Sequence, residues 1–137
     1  MKKKIRVVAA IIWDERRERI LLSRRKAEQD FAGLWEFPGG KVEEGEPDQA
    51  ALVRELKEEI TIEATLFEEA LSFQYHYPDK TIDFVIFEVF SFTGIPQGAE
   101  SQEIAWVEQD QLSERQFPAA NKMMIDYLQE KSDHKLE

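Results

Sequence analysis

Residues 39–62 read Gly-Gly-Lys-Val-Glu-Glu-Gly-Glu-Pro-Asp-Gln-Ala-Ala-Leu-Val-Arg-Glu-Leu-Lys-Glu-Glu-Ile-Thr-Ile. Just before and within the first half, Pro38, Gly39, Gly40 and Gly45 crowd into residues 36–45. That density predicts turns and close backbone approach, not the interior of an element. Pro47 suits a first helical turn, with Glu46 beside the positive end of the helix dipole. A helix is expected from there to about Ile60. At about 100° per residue from Ala50, Leu52, Val53, Leu56 and Ile60 fall between roughly 200° and 300° and form one buried stripe. Glu55, Glu58 and Glu59 fall near 140°, 80° and 180°, a separate acidic face with i,i+3 and i,i+4 neighbours.

Such a face has two readings. Like charges at this spacing repel by only a few tenths of a kcal/mol per pair on an exposed helix, so a solvated acidic face is the bland one. The other is a set of carboxylates converging on hard divalent cations, which take oxygen ligands and relieve the repulsion. The Gly-rich turn upstream favours the second reading, because it can lay a backbone carbonyl beside the helix.

Working outward, the 137 residues fit one domain, expected over residues 1–131, with residues 132–137 as a polar, disordered tail. Lys plus Arg number 18 against 28 Asp plus Glu, a net charge of −10. That balance argues against a nucleic-acid polymer or a membrane surface as partner. The chain lacks cysteine, and His76 and His134 lie far apart, which removes thiol chemistry and His-based metal motifs. With no apolar run of about 20 residues and no signal-peptide pattern, a soluble cytoplasmic protein is expected.

Residues 5–13 read as a strand buried on both faces, and residues 20–23 as a second short strand. Residues 71–77 and 81–92 read as two strands joined across residues 77–80. In the second of these, Phe84, Ile86, Phe90 and Phe92 face one way and Val85, Phe87 and Val89 the other. A last short strand is expected at residues 104–107 and a helix at residues 119–129, carrying Met123, Met124, Tyr127 and Leu128. The order predicts an α+β domain, a mixed central β-sheet with helices on both faces.

Gly40, Glu46 and Arg54-Glu55-Leu56-Lys57-Glu58-Glu59 resemble the Nudix box. The resemblance extends to most of the chain and is strongest toward the MutT-like branch. Phe37-Pro38-Gly39-Gly40-Lys41 and Phe117-Pro118-Ala119-Ala120-Asn121 resemble that branch at both ends. Ala32-Gly33-Leu34-Trp35-Glu36-Phe37 and Ala51-Leu52-Val53-Arg54-Glu55-Leu56 also look like its (deoxy)cytidine triphosphate pyrophosphohydrolases. The family pattern has Gly where this chain has Thr61. A β-branched residue in the left-handed region is strained by roughly 1–2 kcal/mol, so a locally rebuilt helix exit is expected, with the acidic face one turn earlier intact.

The resemblance implies an α/β/α sandwich that hydrolyses a nucleoside diphosphate linked to a further group, with Mg²⁺ as cofactor and Mn²⁺ able to substitute. Glu58 and Glu59 would be metal ligands and the Gly39 carbonyl would complete the site. Glu55 would be the general base or a further ligand, and Glu100 one more ligand or base. Arg54 and Glu46 would pair to hold the loop at Gly40 against the helix. Arg25 would contact phosphate or stay solvated, with Lys41 a weaker candidate of the same kind. Phe37, Trp35, Phe73, Tyr75 and Phe84 would stack on the base or belong to the core.

Asn121 offers an amide donor and acceptor side by side. Oxidation of guanine at C8 moves a proton onto N7, so its N7/O6 edge becomes donor plus acceptor and matches that amide; the edge of adenine also matches. Capping the last helix is the competing role for Asn121. The leading expectation is hydrolysis of 8-oxo-dGTP to 8-oxo-dGMP and pyrophosphate. The alternatives are (d)CTP or a modified pyrimidine nucleotide as substrate, and a non-catalytic nucleotide-binding regulator, each as monomer or homodimer.

Overall fold

β1 (Lys3–Ile12) is the spine of the molecule, and its alternation decides the layers. Val8, Ala10 and Ile12 point to one core, and Ala9 and Ile11, with Trp13 just beyond, to another on the opposite face. The computed structural model describes residues 3–28 and 32–135. β1 pairs in parallel with β6 (Lys80–Thr93) and antiparallel with β4 (Gly39–Lys41), while β5 (Glu63–His76) closes the far edge. This four-stranded sheet, β4-β1-β6-β5, is mixed, as the sequence predicts. A second, antiparallel sheet orders β3 (Trp35–Glu36), β2 (Arg19–Arg24) and β7 (Ile104–Glu108).

Helix α1 (Asp48–Ile60) buries Ala51, Leu52, Leu56 and Ile60 on the face shared by Val8, Val85, Phe87 and Val89. The stripe is the expected one, shifted by a few tens of degrees so that Ala51 is inside and Val53 half-buried. Helix α2 (Lys122–Lys135) covers the other face, seating Met124 and Leu128 with Ile11, Ile86 and Trp35. Helices thus pack on both faces. Among the described residues no helix is long and apolar enough to cross a membrane.

Four local differences from the sequence reading have physical causes. Residues 39–41 form an edge strand instead of a turn: a Cβ on Gly39 would stand 2.0 Å from the Val8 carbonyl oxygen, so glycine is needed there for close pairing. β5 begins eight residues before the expected residue 71, because its first half is an exposed edge with Glu63, Glu68 and Glu69 that carries bulges and hides the apolar alternation. Phe92, beyond the register shift that skips Phe90 in β6, packs with the α1 core and stacks on Trp106 instead of sharing a face with Phe84. Helix α2 starts after a 3₁₀ turn at Ala119–Asn121 and continues beyond residue 129 to Lys135, there being no Gly or Pro to stop it. Of the expected tail, residues 136–137 lie outside the described residues.

The fifth difference is the helix exit. It is not rebuilt. Thr61 itself adopts the left-handed cap, φ 61° and ψ 29°, with its N–H donating to the Lys57 carbonyl. Its hydroxyl donates to the Ile95 carbonyl at 2.8 Å, which offsets part of the strain. Two further carbonyls of the last turn are satisfied: Gln97 N–H reaches Ile60, while Ala99 N–H and the Gln102 amide reach Glu59. The loop after β6 is therefore drawn onto the end of α1, and the acidic face is intact.

Candidate active site

A cleft of about 380 Å³ opens where β1, β4, α1 and the start of α2 meet. One wall is acidic. Glu55 and Glu59 enter it from α1, Glu36 from β3, and Gly39 and Gly40 form its lip. The opposite wall carries Pro118, Ala120, Asn121 and Met124. Arg25, Lys41 and Lys80 supply positive charge along the lining.

The Gly-rich lip sets the acidic wall. A Cβ on Gly40 would stand 2.2 Å from a Glu55 carboxylate oxygen, so only glycine leaves that carboxylate its position. Gly39 donates its N–H to Glu59 Oε2 at 3.0 Å. Arg54 forks onto Glu46 at 2.8 and 2.9 Å, reaches the Lys41 carbonyl at 3.0 Å and Glu55 at 2.8 Å, and so ties loop to helix. That bonding holds the Glu46 carboxyl down at about 2.

Glu59 is the most perturbed acid. Burial pushes its carboxyl up to about 8, helped by the charges of Glu36, Glu55 and Glu100 and opposed by the Gly39 N–H. Burial also raises Glu55, against the pull of Arg54. Burial first, and mutual repulsion after it, disfavour ionisation of these acids, and a cation among them would relieve both. Its donors are all oxygens, which suits a hard divalent ion. Among the described residues, however, no three acids already stand in a closed coordinating cluster.

The expected site residues divide accordingly. Glu55, Glu59, Gly39, Gly40, Arg25, Phe37 and Asn121 all line the cleft. Glu58 does not: its side chain is 60% exposed and sits 3.4 Å from Arg54. Glu100 is exposed on the loop drawn against α1, close enough for its charge to act on Glu59, while Lys26 holds its carbonyl at 2.7 Å. Arg25 forms a 2.5 Å ion pair with Glu36, whose carboxyl is raised by burial despite that partner.

The Phe37 ring is buried and stacks on Phe117, joining the two Phe-Pro segments. Trp35 is buried beneath the guanidinium of Arg115, and Phe84 stacks on Phe73 at the cleft edge. Asn121 donates a long 3.4 Å bond to Pro118, and among the described residues its amide oxygen accepts none from the first turn of α2. Its side chain is therefore available to the cleft. Sequence reasoning did not nominate Glu36, Tyr77, Lys80 or Met124 as lining residues. Glu36 adjoins the Phe-Pro-Gly-Gly run and carried that weak signal; Tyr77 and Lys80 read simply as turn residues.

With the cleft in view, comparison with known proteins is direct: the NUDIX domain pattern matches residues 3–128. The chain belongs to the NUDIX domain family. An 8-oxo-dGTP diphosphatase of Haemophilus influenzae is 48% identical over 90% of both chains. A CTP pyrophosphohydrolase of Escherichia coli is 46% identical over 86% of this chain and 84% of its own. Among solved structures, one from work on MutT of Aliivibrio salmonicida and Vibrio cholerae superposes with a TM-score of 0.83 at 36% identity, covering 92% of this chain and 97% of the other. The Escherichia coli ORF135 protein gives 0.78 at 41% identity, covering 93% and 88%. This NUDIX chain therefore has the fold its sequence implied, and NUDIX hydrolases as a class work with divalent metal.

Proposed function

We propose that the protein is a Mg²⁺-dependent nucleoside triphosphate pyrophosphohydrolase whose preferred substrate is 8-oxo-dGTP, released as 8-oxo-dGMP and pyrophosphate. The observation that carries the reading is one cleft with an acidic wall at Glu55 and Glu59 and, on the other side, the Asn121 amide, held only by a long 3.4 Å bond to Pro118 among the described residues. A triphosphate carried by a divalent cation fits the first and a purine edge the second. The relatives named as 8-oxo-dGTP diphosphatases support the same substrate class.

In the reaction, water attacks phosphorus, a new P–O bond forms and the anhydride P–O bond to pyrophosphate breaks. Bound to the oxygens of Glu59, Glu55 and Gly39, with Glu58 and Glu100 as further donors, Mg²⁺ would supply the positive charge that lets a chain of net charge −10 accept polyphosphate. Glu55, half-buried and raised, would take the proton of the attacking water or serve as a ligand. Arg25 and Lys41 would bind phosphate oxygens, Arg25 exchanging part of its contact with Glu36. Asn121 would accept from the N7–H of the oxidised base and donate to O6; one such bidentate contact is worth about 1–3 kcal/mol.

The test is pyrophosphate release with Mg²⁺ over normal and oxidised nucleotides. The expected result is 8-oxo-dGTP ahead of dGTP by at least tenfold, a margin that Asn121→Ala reduces. Equal rates on those two with faster dCTP would replace the substrate by a pyrimidine nucleotide, the second reading, which the CTP pyrophosphohydrolase relative favours. Release from no nucleotide would leave a binding protein.

A further inference from the structure

Glu88 is a carboxylate on β6 that is 1% exposed, away from the cleft, and not needed by the chemistry above. Three side chains donate to it, although Glu68 lies opposite on β5. Trp13 Nε1 reaches Oε2 at 3.1 Å, Lys131 Nζ reaches both oxygens at 2.6 and 2.8 Å, and the Tyr127 hydroxyl donates to Oε1. Well-packed apolar residues at such a place stabilise a fold as well or better, so stability alone does not account for the arrangement.

What the cluster does supply is direction. Met124, Tyr127, Leu128 and Lys131 lie at i, i+3, i+4 and i+7, one face of α2. Met124 and Leu128 are buried on the sheet, a contact that tolerates sliding and rolling. Tyr127 and Lys131 instead grip one carboxylate that also accepts from Trp13. Gln109 adds a bond to the Leu128 carbonyl, but it ties α2 to the turn after β7 and not to β6. The same two elements build the base end of the cleft. β6 contributes Ile82 and Phe84, and Met124 of α2 stands with Asn121, the residue before the helix begins. A side-chain atom about 6 Å from a helix axis moves about 1 Å for a 10° roll, enough to spoil a bidentate contact.

We propose that Glu88, clamped by Trp13, Tyr127 and Lys131, fixes the roll of α2 on the sheet and so positions Asn121 and Met124 for base selection. Glu88 is a positioning residue, acting through α2. The role in selection rests on the function proposed above, and the placement of Asn121 is measured independently of it.

The test compares wild type with Tyr127→Phe, Lys131→Met and Lys131→Arg. Two quantities are read: the ratio of kcat/KM between the preferred and a disfavoured base, and the side-chain amide resonances of Asn121 by NMR without nucleotide. Lys131→Met is expected to lower the ratio about tenfold through KM of the preferred substrate, with kcat for a common triphosphate within about twofold. The Asn121 amide resonances should move with it. Tyr127→Phe, which removes one neutral donor and leaves the ion pair, should give a smaller change of the same kind, and Lys131→Arg should restore the ratio. Lowered melting temperature in Lys131→Met or Tyr127→Phe with unchanged ratio and unchanged Asn121 resonances would overturn the proposal. If wild type released pyrophosphate from no nucleotide, the function would fall, while immobile or displaced Asn121 resonances would still decide the positioning claim.

Discussion

Replacing Thr61 by glycine, the residue the family pattern has there, should leave this protein nearly as stable as before. Three contributions decide the balance. Releasing a β-branched residue from φ 61° stabilises by roughly 1–2 kcal/mol. Losing the 2.8 Å hydroxyl bond to Ile95 removes about 0.5–1.5 kcal/mol, and the added freedom of glycine in the unfolded chain removes another 0.5–1 kcal/mol or so. The sum runs from about −1.5 to about +1 kcal/mol. At roughly 2.1 cal/mol/K of unfolding entropy per residue, 137 residues convert 1 kcal/mol into about 3–4 °C. Thr61→Val keeps the strain and loses the bond, so it should melt about 2–5 °C lower. Calorimetry on both variants, with hydrolysis measured alongside, makes the check. Because the cap leaves Glu55 and Glu59 in the cleft, kcat should stay within about twofold for both. A rise of more than about 4 °C in Thr61→Gly would mean that the hydroxyl bond does not offset the strain as argued. A rise in hydrolysis by orders of magnitude would mean that threonine at this place had disabled the site.

Removing the charge from Lys131 should make stability respond to pH in the opposite sense. Burial pushes the Glu88 carboxyl up, but Lys131, Tyr127 and Trp13 together outweigh it and hold the group below 4.5, so its contribution is present above that pH and lost as pH falls through the lowered value. In Lys131→Met burial acts with less opposition, the group titrates higher, and the penalty grows as pH rises past about 4.5. The half-exposed lysine puts the loss near neutrality at about 2–3 kcal/mol, or roughly 7–10 °C, narrowing toward pH 4; a gap constant in pH would refute it. Gly40→Ala should displace the Glu55 carboxylate and lower kcat at least about tenfold while melting changes by only a few degrees. Glu59→Gln should abolish the Mg²⁺-dependent rise in melting temperature and lower hydrolysis at least a hundredfold, and a chelator should do the same to wild type; an active, Mg²⁺-responsive variant would remove Glu59 from the site.

The layers were legible because the periodicities are strong. Both faces of β1 and β6 are apolar, and the stripe of α1 is unmistakable against its charged remainder. The first half of β5 was hidden because an edge strand keeps its charges. Gly39 to Lys41 was hidden because glycine marks a close approach as readily as a turn. For the site, the acidic positions could be read from helical spacing, yet spacing could not say that Glu58 leans to solvent toward Arg54 while Glu59 turns inward to Gly39. That depends on a strand arriving from elsewhere in the chain. Glu36, Tyr77 and Lys80 reach the cleft only through tertiary folding, and no local pattern distinguishes them. At Thr61 the left-handed penalty alone predicts a rebuilt exit, and the Ile95 carbonyl that offsets it arrives from 34 residues away.

Glu55 and Glu59 stand on the core beneath α1 and the Asn121 wall on the separate core beneath α2, with β1 between them. The two sets of side chains pack on opposite faces of a strand buried on both sides. Such a partition gives lineages a way to diversify what they recognise while the bond-breaking apparatus is inherited untouched. It offers a physical account of how relatives of nearly equal similarity to this chain can bear the names of a purine and a pyrimidine nucleotide hydrolase.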